Sequence, residues 1–256
     1  MRLSTAFTSP DHKRRYVRSL FATIADRYDF ITAFLSFGRD RAWKRRLIRE
    51  AGLAPDERVL DLACGTGDLS FLAAEHGATV VGLDITVRMI ELARAKVGHR
   101  GTAASTAPAF LVGDMMALPF GAGAADVVTT GYGLRNVPHL EEAADEIARV
   151  LTPRGRLLSL DFNRPESTVI RTAYLAYLTI VGSALGWVLH RDPDTYRYIP
   201  ESLRRYPGAR GVADILRASG FDEVQVIPLL GGFMTLHVAK KTATRARAAA
   251  PPPAVR

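Results

Sequence analysis

Residues 58–70 read RVLDLACGTGDLS. An apolar run through Val59, Leu60 and Leu62 breaks at Gly65-Thr66-Gly67, and a helical pattern begins at Leu69. Strand, glycine turn and helix in immediate succession form the first unit of an open α/β sheet, whose ligand sits beyond the carboxyl ends of the parallel strands. The glycines let the backbone come close to that ligand. From this stretch the alternation continues: strands at 79–85, 110–113, 126–130 and 156–162, with helices at 69–75, 87–96 and 141–151 and a turn at Pro153-Arg154-Gly155. Apolar strands between helices predict a parallel sheet covered on both faces. Residues 165–207 break the rhythm as a mostly helical insertion. Strands at 221–230 and 233–240, joined by Gly231-Gly232, then predict a hairpin that adds an antiparallel last strand to the sheet.

Polar residues fall where the ligand should lie: Asp61, Gly65 and Gly67 after the first strand, Asp84 after the second and Asp114 after the third. A carboxylate at the end of the second strand is placed to hold ribose hydroxyls. Residues 65–70 (GTGDLS) lack the third glycine of a dinucleotide fingerprint, and Asp68 sets a negative charge where a pyrophosphate would rest on the helix start. The site favours a cationic ligand instead. S-adenosyl-L-methionine, with its sulfonium and ammonium, suits Asp61 and Asp68, and Asp114 can accept a hydrogen bond from its adenine amine. Each carboxylate also has a plainer reading, Asp68 as helix N-terminal charge and Asp114 as a turn residue.

The 256 residues accommodate one α/β domain at 50–241, preceded by a helical segment at 1–49 and followed by a basic tail at 242–256 expected to be disordered. Charge gathers at the ends. Residues 1–49 hold 12 Lys/Arg and 4 Asp/Glu, and residues 240–256 hold 5 basic and no acidic residues. Such ends suit anionic lipid or nucleic acid, but no basic sheet interleaved with aromatic residues supports a nucleic-acid partner. Cys64 is alone, so no internal disulfide forms, and the six histidines are scattered, so no metal site is expected. The first ten residues lack the apolar core of a signal peptide. Residues 169–189 approach the hydrophobicity of a membrane span, but Arg171 interrupts them, and Gly182 and Gly186 weaken the helix. The expectation is a cytoplasmic protein with peripheral contact at the inner face of a membrane left open, along with a homo-oligomer.

Longer motifs narrow the reading. The segments 21–29 (FATIADRYD), 35–44 (LSFGRDRAWK), 61–68 (DLACGTGD), 113–120 (GDMMALPF), 131–137 (GYGLRNV), 149–155 (RVLTPRG) and 196–207 (YRYIPESLRRYP) occur in this order. In them the chain, from about residue 17 to 241, resembles the ubiquinone/menaquinone biosynthesis C-methyltransferase family. The resemblance implies a seven-stranded class I methyltransferase sheet and methyl transfer to a ring carbon of a polyprenylated quinol, either demethylmenaquinol or a methoxy-polyprenyl-benzoquinol. It also implies cofactor contacts from Thr66, Asp84, Asp114, Met115 and, through its backbone, Gly131. A methyltransferase for another phenolic small molecule and an inactive cofactor-binding partner are the competing readings.

Alkylating a ring carbon needs the electron-rich quinol, a group to stabilise the phenolate and a proton acceptor. Arg135, just past the fourth strand and permanently protonated, is the candidate for the phenolate, unless it is a structural arginine paired with Asp161 or Glu201. Asn136 could orient the ring hydroxyl or a water, and Tyr28 could close over cofactor or quinol or serve only in helix packing. His190, His237 and a water beside Arg135 are the open choices for the base.

Overall fold

A computed structural model describes residues 3–99 and 107–242 of the chain. The tail from residue 243 and most of the loop before the third strand lie outside the described residues. The strands are β1 (Arg58–Leu62), β2 (Thr79–Asp84), β3 (Ala109–Val112), β4 (Ala125–Gly131), β5 (Leu151–Phe162), β6 (Glu223–Leu229) and β7 (Met234–Lys240). They form one sheet in the order β3-β2-β1-β4-β5-β7-β6. β7 runs antiparallel to both β5 and β6, and the other pairings are parallel. The expected doubly wound, mostly parallel sheet with an antiparallel last strand is what the chain forms.

Period-two alternation builds its two layers. Val59, Val127 and Leu158 face one side, where α3 (Asp40–Ala51) and α4 (Asp68–Ala74) cover them with Trp43, Leu47, Ile48 and Leu69. Leu60, Val128 and Leu157 face the other, under α6 (Leu140–Val150) and α9 (Gly208–Ala218), which bring Ile147, Val150 and Leu216. Each such large apolar side chain gains about 1.5–3 kcal/mol on burial. Helix α3 is thus part of the sheet's own cover and runs two residues beyond the boundary expected at 49.

The fifth strand differs from the sequence reading. It begins at Leu151, paired with Ala125, and resumes register at Arg156 opposite Val127. The expected turn at 153–155 is an outward bulge inside the strand, with Arg154 at φ 70°, because β4 offers partners on either side of it. At the glycine turn, Gly67 has φ +88° and a Cβ there would stand 2.7 Å from the Phe110 ring, so this glycine serves packing.

Helices from two distant parts of the chain close the carboxyl edge of the sheet. From the N-terminal side come α1 (Pro10–Ile24) and α2 (Tyr28–Leu35). From the insertion come α7 (Thr168–His190) and α8 (Asp194–Arg205), which pack on each other. The approach is close: a Cβ on Gly182 would lie 3.1 Å from the Tyr196 carbonyl, and one on Gly186 2.5 Å from that of Asp192. Among the described residues α7 alone has the length and apolarity of a membrane span, and little of it is buried.

Candidate active site

Three cavities meet at the carboxyl edge. The first, about 670 Å³, is bounded by Gly65, Asp84, Asp114, Met115, Gly131 and Asn136, with Arg14, Val17 and Phe21 of α1 above. Asp84 is buried rather than at an exposed strand end. Its Oδ2 accepts the Gly65 N–H at 2.9 Å and its Oδ1 the Thr86 N–H at 2.8 Å. Burial raises its pKa, opposed by those two amides. A carboxylate offers about four lone-pair positions, so acceptor capacity remains for a diol. Asp114 accepts the Met116 N–H on Oδ1 and pairs with Arg14 through Oδ2 at 3.0 Å. Asn136 donates to the Tyr132 carbonyl at 2.8 Å, and its buried Oδ1 has no hydrogen-bond partner among the described residues. It lines this cavity and not the one that Arg135 faces.

The second cavity, about 300 Å³, is lined by Asp61, Thr66 and Asp68 with Lys44 from α3. Asp61 is fully buried. Burial pushes its pKa up to about 6, against the hydroxyls of Ser70 (2.6 Å) and Thr129 (2.9 Å) that donate to it. Thr66 donates to Asp29 Oδ1 at 2.6 Å. Asp68 is already shared by Lys44 (2.9 Å) and Lys96 (3.4 Å). Burial works against its ionisation, but the two ammonium groups outweigh it and its pKa falls. Gly67 lines neither cavity.

The third cavity, about 860 Å³, is largely apolar and aromatic, with walls from α1, α2, α7 and α8. Arg135 is its buried cation. Its Nε donates to Ser202 Oγ at 2.9 Å, its Nη1 to Asp161 Oδ1, and its backbone N–H to Asp161 Oδ2 at 3.1 Å. The guanidinium lies 4.9 Å from the centre of the Phe162 ring. The pairing with Asp161 is therefore present, whereas Glu201 pairs with Arg204 and Arg205. Arg135 Nη2 donates to nothing among the described residues. His190 shares a 2.9 Å hydrogen bond with the hydroxyl of Tyr196, a wall residue. His237 is buried in β7 and donates to the Ala209 carbonyl at 2.9 Å, away from all three cavities.

Tyr28 and Tyr132 line all three cavities. Burial pushes the Tyr28 hydroxyl up to about 12, opposed by the nearby Lys44, so it stays protonated near neutral pH. Tyr132, which sequence reasoning passed over, directly follows Gly131 with φ 62°. A bulky residue in that region costs roughly 1–3 kcal/mol and marks functional sites. Its hydroxyl is fixed on Asp40 Oδ1 at 2.6 Å. Ile85, Met89 and Trp43 also escaped notice; their apolar periodicity reads equally as core.

A seven-stranded sheet of this order, with a strand-end carboxylate and a cavity lined by both acidic and basic groups beside it, defines an S-adenosyl-L-methionine-dependent methyltransferase of class I. Solved structures share the fold: a methyltransferase from Thermotoga maritima described as a possible histamine N-methyltransferase (TM-score 0.61, 18% identity, 88% of this chain and 99% of that one) and a methyltransferase from Aquifex aeolicus (0.55, 17%, 77% and 88%). The chain belongs to the ubiE/COQ5 methyltransferase family, whose model matches residues 9–241. It is 39% identical to a demethylmenaquinone methyltransferase of Thermus thermophilus over 86% of this chain and 98% of that protein. It is 37% identical to the ubiquinone/menaquinone biosynthesis C-methyltransferase UbiE of Serratia proteamaculans over 89% and 91%.

Proposed function

We propose that the enzyme methylates a ring carbon of a polyprenylated quinol, demethylmenaquinol or a methoxy-polyprenyl-benzoquinol. The observation that carries this reading is an apolar, aromatic cavity with one buried cation, Arg135, joined to the cofactor cavities at Tyr28 and Tyr132. S-adenosyl-L-methionine supplies an electrophilic methyl group when bound. Asp84 takes the ribose hydroxyls, Asp114 and the orphaned Asn136 Oδ1 the adenine amine, and Met115 with the Gly131 backbone bounds the base. Thr66 and Asp61 hold the loop beneath. The family resemblance supports Asp84, Asp114, Met115 and Gly131 as cofactor contacts, and the acceptor left open on Asn136 Oδ1 moves that residue from the quinol to the cofactor.

On the quinol side, Arg135 Nη2 donates to a ring oxygen as that oxygen gives its proton to a water beside Arg135 and becomes phenolate. The Tyr28 and Tyr132 rings hold the nucleophilic carbon in line, and the proton on that carbon leaves to water once the methyl group has moved from the cofactor sulfur. Alignment of this kind can contribute roughly 7–11 kcal/mol. Asp161 keeps the guanidinium oriented. Methyl transfer from labelled cofactor to a panel of prenylated and unprenylated quinols and soluble phenols tests the reading: prenylated quinols should be preferred, and a preference for soluble phenols would reject it.

The helical segment at 1–49 and the insertion at 165–207 act together as a cap through which the prenyl tail leaves. The tail must rest in lipid, and we place the enzyme peripherally at a membrane, in the cytoplasm otherwise. Supporting this, α7 is docked on α8 along one face and exposes Val169 (79%), Ile180 (70%), Trp187 (63%) and Val188 (69%) on the other, while α2 exposes Phe30 and Phe34. An apolar, partly exposed helix anchored to its own domain on one side suits lying in an interface more than crossing it.

A further inference from the structure

The segment 35–44, LSFGRDRAWK, holds no cofactor group in the assignments above, yet its residues build one device. Ser36 Oγ accepts the Asp40 N–H at 3.0 Å at the start of α3. One turn later Asp40 Oδ2 holds Lys44 Nζ at 2.7 Å, while Asp40 Oδ1 holds the Tyr132 hydroxyl. Lys44 Nζ also meets Asp68 Oδ2 at 2.9 Å, and the Lys44 side chain is only 8% exposed. Among the described residues it is the one basic side chain lining the 300 Å³ cavity, whose acids are Asp61 and Asp68. That cavity joins the Asp84 cavity through Tyr28, Ala63, Gly131 and Tyr132.

Lysine has three donors. Asp40 and Asp68 take two of them, which fixes the ammonium and leaves the third N–H. A buried cation so placed, between acids and beside a nucleoside site, matches a zwitterionic amino acid attached to that nucleoside. We propose that Lys44 binds the carboxylate at the amino-acid end of the cofactor. The proposal rests on S-adenosyl-L-methionine being the ligand of the joined cavities. Burial works against the Lys44 charge, but Asp68 and Asp40 outweigh it and raise its pKa, so the residue is cationic wherever the enzyme is folded near neutral pH. The motif thus sets the amino-acid end of the cofactor and, through Asp40 and Tyr132, the wall where cofactor and quinol meet.

Calorimetric titration of the full chain with two cofactor fragments tests this. S-adenosylhomocysteine carries the amino-acid end, and 5′-methylthioadenosine lacks it. In Lys44→Met, affinity for S-adenosylhomocysteine should fall about ten- to hundredfold, the scale of one charge-assisted hydrogen bond, while affinity for 5′-methylthioadenosine should stay within about twofold. Lys44→Arg should recover much of the loss. An unchanged S-adenosylhomocysteine affinity, or an equal loss for both fragments, overturns the proposal. Should Lys44→Met not fold, the parent enzyme decides: decarboxylated S-adenosylmethionine should bind about tenfold or more weakly than the intact cofactor, and equal binding overturns the assignment. A parent that binds neither S-adenosylhomocysteine nor 5′-methylthioadenosine overturns the cofactor site itself.

Discussion

Arg135 commits Nε and Nη1 to Ser202 and Asp161 and leaves Nη2 without a partner among the described residues. The sequence permitted either a structural or a catalytic arginine; the fold shows the structural pairing, and the proposed phenolate contact is compatible with it, because the guanidinium fork can hold a carboxylate and a second acceptor at once. Arg135→Lys should therefore cut turnover far more than cofactor affinity: lysine keeps the charge but cannot meet Asp161, Ser202 and a phenolate in one plane. Steady-state turnover and calorimetric cofactor affinity on one preparation measure this, and equal losses would remove Arg135 from the chemistry. Asp84 was legible from its place at a strand end, but its burial and its two amide bonds were not, since they depend on how the glycine loop folds back. Asp84→Ala should weaken cofactor binding by roughly 1.5–3 kcal/mol and also lower the melting temperature, because Gly65 and Thr86 lose their acceptor. A variant with unaltered cofactor affinity would remove Asp84 from the site.

Elements were legible where periodicity was strong and less so where pairing decided. Strands β1, β2 and β4 announce themselves by apolar runs, whereas the bulged start of β5 depends on β4 being its neighbour. At the entry to β1 and β4, the Asp126 carboxylate accepts the Arg58 backbone N–H at 3.0 Å and its guanidinium at 2.9 Å. Arg58 thereby holds the Asp126 pKa down to about 2, against an ordinary 3.8. A depressed carboxylate stabilises the fold fully above 3.8 and loses that contribution as pH falls through about 2. Asp126→Asn should accordingly melt below the parent at pH 7, with the gap closing between pH 4 and 2; a gap independent of pH would contradict this. The apolar stripe of α7 was visible as composition, but which face it leaves uncovered was not, because Gly182 and Gly186 choose the side that meets α8. Ile180→Asp with Trp187→Asp should leave the melting temperature nearly unchanged and abolish cosedimentation with anionic vesicles at low salt. The parent should bind, and be only partly released by salt, since ion attraction is screened but apolar insertion is not. Cosedimentation equal to the parent's would remove α7 from the membrane contact.

For the whole molecule, the sheet could be read from one end of the sequence to the other, and with it the row of carboxylates at its carboxyl edge. The roof over that row could not. It comes from residues 10–35 and 168–205, far apart in the chain and brought together only by packing, so although Tyr28 stood out in the sequence, its meeting with Tyr132 and the position of Lys44 emerge from three-dimensional proximity alone. That junction makes a specific demand on chemistry. In the proposed reaction a methyl group passes between the cavities to a carbon on a ring whose oxygen Arg135 holds, and only the reduced ring is nucleophilic enough to accept it. Incubation with methyl-labelled S-adenosyl-L-methionine and demethylmenaquinol, kept reduced in one sample and oxidised to the quinone in another, followed by mass and NMR analysis of the product, reads this out. The label should appear on a ring carbon in the reduced sample and be absent from the oxidised one; label on oxygen, or equal transfer to the quinone, would show that the chemistry is of another kind.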